Sequence, residues 1–123
     1  FNISLRDGAE MVLFAMERAH GGEIFVPKIP SYKITDVAKA IAPHAKTEIV
    51  GIRPGEKVHE EMITQSDSFT TYDLGKYYAI LPQIPVFDMN EFVSDFGAKP
   101  VPVGFNYHSG NNESWIGPEE IRD

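Results

Sequence analysis

The chain has 123 residues, enough for one domain with a core of its own and too few for two. Its 42% hydrophobic and 24% charged residues read as a soluble globular protein, and a formal net charge of -7 disfavours nucleic acid as a partner. There is no cysteine, which excludes disulfides and thiolate metal sites and fits a reducing, cytoplasmic compartment. No apolar run reaches the roughly 20 residues of a membrane span, and no signal peptide opens the chain, so no membrane association is expected. The first residue is Phe1, and the pattern at both ends reads as cut, which predicts a fragment.

In chain order, "FNISL" reads as a strand already under way. Ser4 and Asp7 then form a capping pair, and Ala9, Val12, Leu13 and Met16 recur at helical spacing. Gly21 and Gly22 stop this helix. Glu23 to Pro27 reads as a strand ended by proline. A second helix follows, with Thr35 as N-cap, Val37, Ala38 and Ile41 as its buried face, and Pro43 as its stop. "KTEIVGI", Lys46 to Ile52, reads as another strand, and "EKVHEEMI" as a short helix opening near Glu56. "SFTTYDL" and "KYYAILP" read as two short strands joined by a turn at Gly75. From about residue 83 the chain is less regular: Gln83 to Gly104 is proline-rich without a stable period. "SGNN" reads as an exposed turn, and a last helix opens at Pro118 and runs out at Asp123. The alternation of strands and helices predicts an α/β fold. No Gly-rich strand-turn-helix fingerprint occurs, so the chain offers no dinucleotide site of that kind.

Arg53-Pro54-Gly55-Glu56 is the constellation with the most chemistry. A guanidinium presents a planar fork of donors that suits phosphate oxygens, and a carboxylate presents two acceptors that suit the vicinal hydroxyls of a ribose. Pro54 pushes Arg53 toward an extended backbone, Gly55 permits a sharp turn, and Glu56 would stand at a helix N-terminus. A nucleoside diphosphate needs both partners close together. The alternative is a plain strand-to-helix turn carrying an exposed ion pair. Tyr72 and Lys76 have the Y-x-x-x-K spacing of short-chain dehydrogenases, but Thr70 and Thr71 favour strand and Gly75 interrupts, so no catalytic role is assigned. The histidines, His20, His44, His59 and His108, show no HExxH spacing, and no metal site is expected. His20 reads as a cap at a helix C-terminus; Tyr77, Tyr78, Phe92 and Phe96 read as core or interface aromatics, and Trp115 as a packing residue of the tail.

The run "HGGEIFVPKIPSYKITDVAKAI", followed by "IVGIRPGEKVHEEMI", resembles the C-terminal part of the inverting bacterial UDP-N-acetylglucosamine 4,6-dehydratases, within the extended short-chain dehydrogenase/reductase superfamily. The opening "FNISLRDGAEMVLFAMERAHGGEIF" and the closing "FNYHSGNNESW" are similar to that family too, whereas Gln83 to Gly104 is not specific. The resemblance implies that residues 1–123 are the small C-terminal substrate-binding domain, with the N-terminal Rossmann domain absent from this chain. NADP and the catalytic residues would belong to that domain, so no catalytic and no cofactor-binding residue is assigned here. By the resemblance, Arg53 contacts the pyrophosphate of UDP-N-acetylglucosamine and Glu56 its ribose. The implied whole reaction moves a hydride from C4 to NADP, loses water across C5 and C6, and returns the hydride to C6. C5 is protonated on the opposite face, giving a 4-keto-6-deoxy sugar nucleotide for pseudaminic acid, flagellin glycans or surface polysaccharide. The resemblance further implies a homo-oligomer, and a fragment inactive by itself. A related epimerase, a C5-retaining dehydratase and a non-catalytic nucleotide-sugar binding module stand as alternatives.

Overall fold

A four-stranded antiparallel sheet is the main scaffold. The computed structural model describes residues 1–122, and their contacts divide into two compact units. The larger comprises Ile3–Lys28 and Glu61–Tyr107; the smaller comprises Phe1–Asn2, Ile29–Glu60 and the chain from His108 on.

In the larger unit, α1 (Leu5–Arg18) leads into β1 (Ile24–Pro27). After the smaller unit's long insertion come β2 (Glu61–Ile63), a 3-10 helix (Gln65–Thr70), β3 (Thr71–Asp73) and β4 (Tyr77–Ile80). Then follow α3 (Met89–Phe96), β5 (Lys99–Pro100) and β6 (Tyr107–His108). The sheet order is β1-β4-β3-β5, with every pairing antiparallel, while β2 and β6 form a separate two-stranded sheet. The fold is therefore mixed α/β, but its main sheet is built from hairpin-type pairings and not from parallel crossover units.

The core follows from strand alternation. Tyr77, Ala79 and Leu81 point inward, and Ala79, Leu81, Phe92 and Ala98 form one buried cluster. Phe92, with no exposed surface, meets Phe87, Phe96 and Tyr72 at ring separations of 5.0–6.0 Å. Helix α3 places two of these rings, Phe92 and Phe96. Its N-cap Asp88 accepts from the Asn90 and Glu91 amides, Phe92 and Phe96 lie one turn apart, and Gly97 ends it in the left-handed region at φ 59°. This helix lies within the segment that sequence periodicity leaves irregular. Its eight residues are too short a window for a period to emerge among prolines.

Other expectations are corrected. Residues 1–4 form no strand; Asn2 makes one backbone bond, to Pro30, and Ser4 instead caps α1 by accepting from the Asp7 amide. The apolar residues at helical spacing in α1, Ala9, Val12, Leu13 and Met16, are exposed. The helix packs through Phe14, whose ring lies 4.7 Å from Tyr77 and 5.4 Å from Phe25. His20 does not cap the helix: its ring packs on Phe87, Phe92 and Phe96, and Nε2 lies 3.2 Å from Asp95.

The smaller unit holds α2 (Ile34–Ile41) and α4 (Pro118–Arg122). Lys33, not Thr35, is the N-cap of α2, because the Lys33 carbonyl accepts the amides of Asp36 and Val37. Ala40 is the buried residue of this helix, Val37 and Ala38 are half-buried, and Ile41 is exposed. Arg122 of α4 donates to the Ala40 carbonyl at 2.9 Å. The expected end of that last helix at Asp123 lies outside the described residues.

Lys46–Ile52 forms no strand. Its β-branched residues Thr47, Ile49, Val50 and Ile52 suit a pleated ladder, but no neighbouring strand pairs with them among the described residues, and Ile49 is 98% exposed. The helix expected from Glu56 does not form either, and Glu61–Ile63 is strand β2. The hairpin at Gly75 forms as expected, with Thr71↔Ile80, Tyr72↔Ala79 and Asp73↔Tyr78 in register.

Candidate functional site

Arg53 to Glu56 close a tight turn. The Glu56 amide donates to the Arg53 carbonyl at 3.0 Å, with Pro54 and Gly55 at the centre and Gly55 at φ 84°. Proline followed by a positive-φ glycine is the signature of a type II turn. The Glu56 carboxylate then reaches back, its Oε2 accepting the Arg53 amide at 2.8 Å. That contact replaces the expected helix start: the carboxylate satisfies a backbone donor of its own turn, and the chain continues without a helical hydrogen-bond ladder.

The guanidinium remains available. Arg53 Nε lies 3.9 Å from Glu56 Oε1, and the two side chains are 78% and 49% exposed. An ion pair this long and this wet contributes about 0–1 kcal/mol, so an incoming anion displaces it at little cost. Glu56 keeps Oε1 free of backbone bonds and able to accept from a hydroxyl. Beside the turn runs an open groove of about 820 Å³, lined by Ile34, Ile49–Ile52 and Gly55–Val58 with Glu60. Glu56 and Lys57 supply its charges near the turn, whereas Arg53 does not line it. The structure thus brings Arg53 and Glu56 together in one hydrogen-bonded turn, as the sequence spacing predicts, but without helix amides beside them.

A second turn of the same unit carries its own hydrogen-bond network. Glu60 and Ser109 exchange two hydrogen bonds: the Ser109 amide donates to the Glu60 carbonyl at 2.8 Å, and the Glu60 amide to Ser109 Oγ at 3.1 Å. Asn112 Nδ2 donates to the Ile29 carbonyl at 2.7 Å and to Ser31 Oγ at 3.0 Å. Trp115 Nε1 donates to the Asn112 carbonyl at 2.7 Å. The "SGNN" turn is a tie point and not only an exposed bend. Its Ser-Gly-Asn-Asn composition announces a turn, but nothing in it names the partner 49 residues away in sequence.

Tyr72 and Lys76 do not share a helical face. Tyr72 lies on β3 against Phe92, and Lys76 sits in the hairpin with Nζ 3.8 Å from Glu10. Among the described residues no cluster of three or more His, Asp or Glu side chains is placed to hold a metal ion. No helix there is long and apolar enough to cross a membrane. The described residues do not fit a nicotinamide dinucleotide: no glycine-rich turn joins a strand to a helix N-terminus, and β1 ends in Pro27.

The family model for polysaccharide biosynthesis proteins matches residues 1–82, which include the Arg53–Glu56 turn. The chain belongs to that family. It is 51% identical over 125 residues, 98% of its length, to a protein of Campylobacter jejuni serotype O:2 named UDP-N-acetylglucosamine 4,6-dehydratase (inverting). A second protein of that name, from C. jejuni serotype O:23/36, is 48% identical over the whole chain. UDP-glucose 4-epimerase of Rickettsia bellii is 38% identical over 84 residues, 65% of the chain and 25% of the epimerase. Among solved structures, Pen from Bacillus thuringiensis superposes with a TM-score of 0.75 at 27% identity, over 98% of this chain and 36% of that one. The chain spans about 37–38% of the length of the two dehydratases it matches.

Proposed function

We propose that this chain is the UDP-sugar-binding portion of a UDP-N-acetylglucosamine 4,6-dehydratase. Arg53 grips the pyrophosphate and Glu56 a ribose hydroxyl. The carrying observation is the geometry of the turn: a guanidinium left exposed on a backbone that Pro54, Gly55 and the Glu56 carboxylate constrain. A donor carried on a constrained backbone binds at a reduced ordering cost, and orientation of this kind raises rate without an acid or base on the same piece of chain. The likeness to the two Campylobacter dehydratases supports the sugar, since it runs through the tail to the end of the chain, whereas the likeness to the epimerase covers 65% of it. The reaction forms a 4-keto-6-deoxy sugar nucleotide for surface polysaccharide or flagellin glycan in the cytoplasm. NADP belongs to a Rossmann domain on a longer form of the enzyme, which works as a homo-oligomer, and these 123 residues alone do not turn over.

The test is kinetic, on the complete enzyme. Arg53→Ala should raise KM for UDP-N-acetylglucosamine by about tenfold to a hundredfold, the value of a hydrogen bond to a charged group. Arg53→Lys should recover part of the loss, because a point charge lacks the fork. Glu56→Gln should cost less than Arg53→Ala, since the amide keeps an acceptor oxygen. The Kd for NADP should stay at the wild-type value in all three. An unchanged substrate KM in folded Arg53→Ala would reduce the turn to a structural one.

A further inference from the structure

We propose that His59 and Gly110 are positioning residues for the nucleotide: they mount the Arg53–Glu56 turn on the Ser109–Asn112 turn. This rests on the reading of Arg53 given above. From Ile41 to Glu60 every residue is exposed, and between α2 and β2 there is no regular element. Backbone hydrogen bonds in that stretch are local, Ala45 to Ala42 and Glu56 to Arg53, until the chain reaches Glu60. A turn that is to hold an anion at a fixed place needs an anchor, and the nearest one begins three residues beyond Glu56.

The anchor is closely fitted. A Cβ placed on Gly110 would stand 2.7–2.8 Å from Cε1, Nδ1 and Nε2 of His59. Any side chain at 110 would require the His59 ring to move. Gly110 is not among the glycines with positive φ, so its backbone does not demand glycine; it is the His59 ring that a side chain here would displace. His108 closes the other side, its ring 5.6 Å from that of His59 and its Nδ1 accepting the Gly110 amide at 3.0 Å. Asn111 Oδ1 in turn accepts the His108 amide at 2.9 Å. The two Glu60–Ser109 bonds run alongside. The far end of the same turn is tied to fully buried Ser31 through Asn112, and the Ser31 amide donates to the Ser114 carbonyl at 2.9 Å. Side chains at 59 and 108–112 therefore connect the exposed turn to the fixed body of the smaller unit.

The variants are His59→Ala, Gly110→Ala, their combination and Arg53→Ala, all in the complete enzyme. His59→Ala and Gly110→Ala should each raise KM for UDP-N-acetylglucosamine by about tenfold, with kcat within about threefold of wild type. The combination should be no worse than His59→Ala alone, because removing the ring removes the clash. Amide exchange at Ser109 should quicken by about tenfold in His59→Ala. Residues that only stabilise the fold would lower the unfolding midpoint and leave KM as it was. Should Gly110→Ala fail to fold, His59→Ala, which adds no atoms, carries the test. If Arg53→Ala raises KM but His59→Ala does not, the mounting role is overturned and the nucleotide reading stands. If His59→Ala speeds exchange at Ser109 while Arg53→Ala leaves KM unchanged, the mount holds and the nucleotide reading has failed.

Discussion

Four residues, Arg53 to Glu56, carry the account at the smallest scale. Their turn is legible in the sequence because turn chemistry is local: a proline fixes one φ, a glycine supplies the opposite sign, and neither needs a tertiary partner. The role of Glu56 is not legible in the same way. A carboxylate after Pro-Gly suits a helix start equally well, and only the folded chain shows it accepting the Arg53 amide. Gly55 isolates the backbone's share. It stands at φ 84°, and the space its missing Cβ would fill has no neighbour within 4 Å. An added methyl therefore meets nothing, and its cost is conformational alone, about 1–2 kcal/mol. The surrounding stretch is exposed and can relax locally. Gly55→Ala should therefore raise the substrate KM of the complete enzyme severalfold while its thermal midpoint moves by no more than about a degree or two. A large drop in midpoint with unchanged KM would show the turn to be part of the cooperative fold and not of the site.

Among the elements, the β3–β4 hairpin can be read from sequence because strand-favouring residues, Thr71 and Tyr72 on one side and Tyr77, Tyr78 and Ile80 on the other, flank one glycine. The Lys46–Ile52 strand is expected on equally good local grounds and does not form, since a strand exists only where a ladder partner stands beside it. Helix α1 shows the same limit. Periodicity marks an apolar face at Val12, Leu13 and Met16, yet the sheet takes Phe14, one residue round the helix, and leaves that face open. The hairpin also carries a testable charge lock. Asp73 Oδ1 accepts from Lys28 Nζ at 2.6 Å and from the Gly75 amide at 2.8 Å, and the Lys28 ammonium stands 4.5 Å over the Tyr78 ring. Partial burial by itself would raise the Asp73 pKa. The hydrogen bonds from Lys28 and Gly75, with the charges of Lys28 and Lys99, outweigh it and hold the carboxyl below its ordinary 3.8. A folded-state pKa below the unfolded one stabilises the fold at pH above that ordinary value. The contribution disappears as pH falls through the folded pKa. Asp73→Asn should accordingly lower the unfolding midpoint at about pH 7, and the gap from wild type should narrow steadily below about pH 4. A gap that stayed constant down to about pH 2.5 would mean that the loss lies in packing and not in the charge.

For the molecule as a whole, the family is legible because the stretches that carry it are contiguous, and the matched region 1–82 contains the candidate turn. The division into two units is not, because the smaller unit is assembled from the first two residues, a middle segment and the tail. Sequence order hides that His108–Asn112 belongs beside His59 and Glu60. The central claim is that the turn at Arg53 holds a nucleoside diphosphate, and titration of UDP into the 123-residue chain, followed residue by residue through amide shifts, tests it most directly. If, as proposed, part of the pocket is contributed elsewhere in a longer enzyme, the expected Kd is about 1 mM, near 4 kcal/mol. The shifts should centre on Gly51 to Val58 and vanish in Arg53→Ala. Shifts that centre elsewhere, or that survive unchanged in Arg53→Ala, would contradict it.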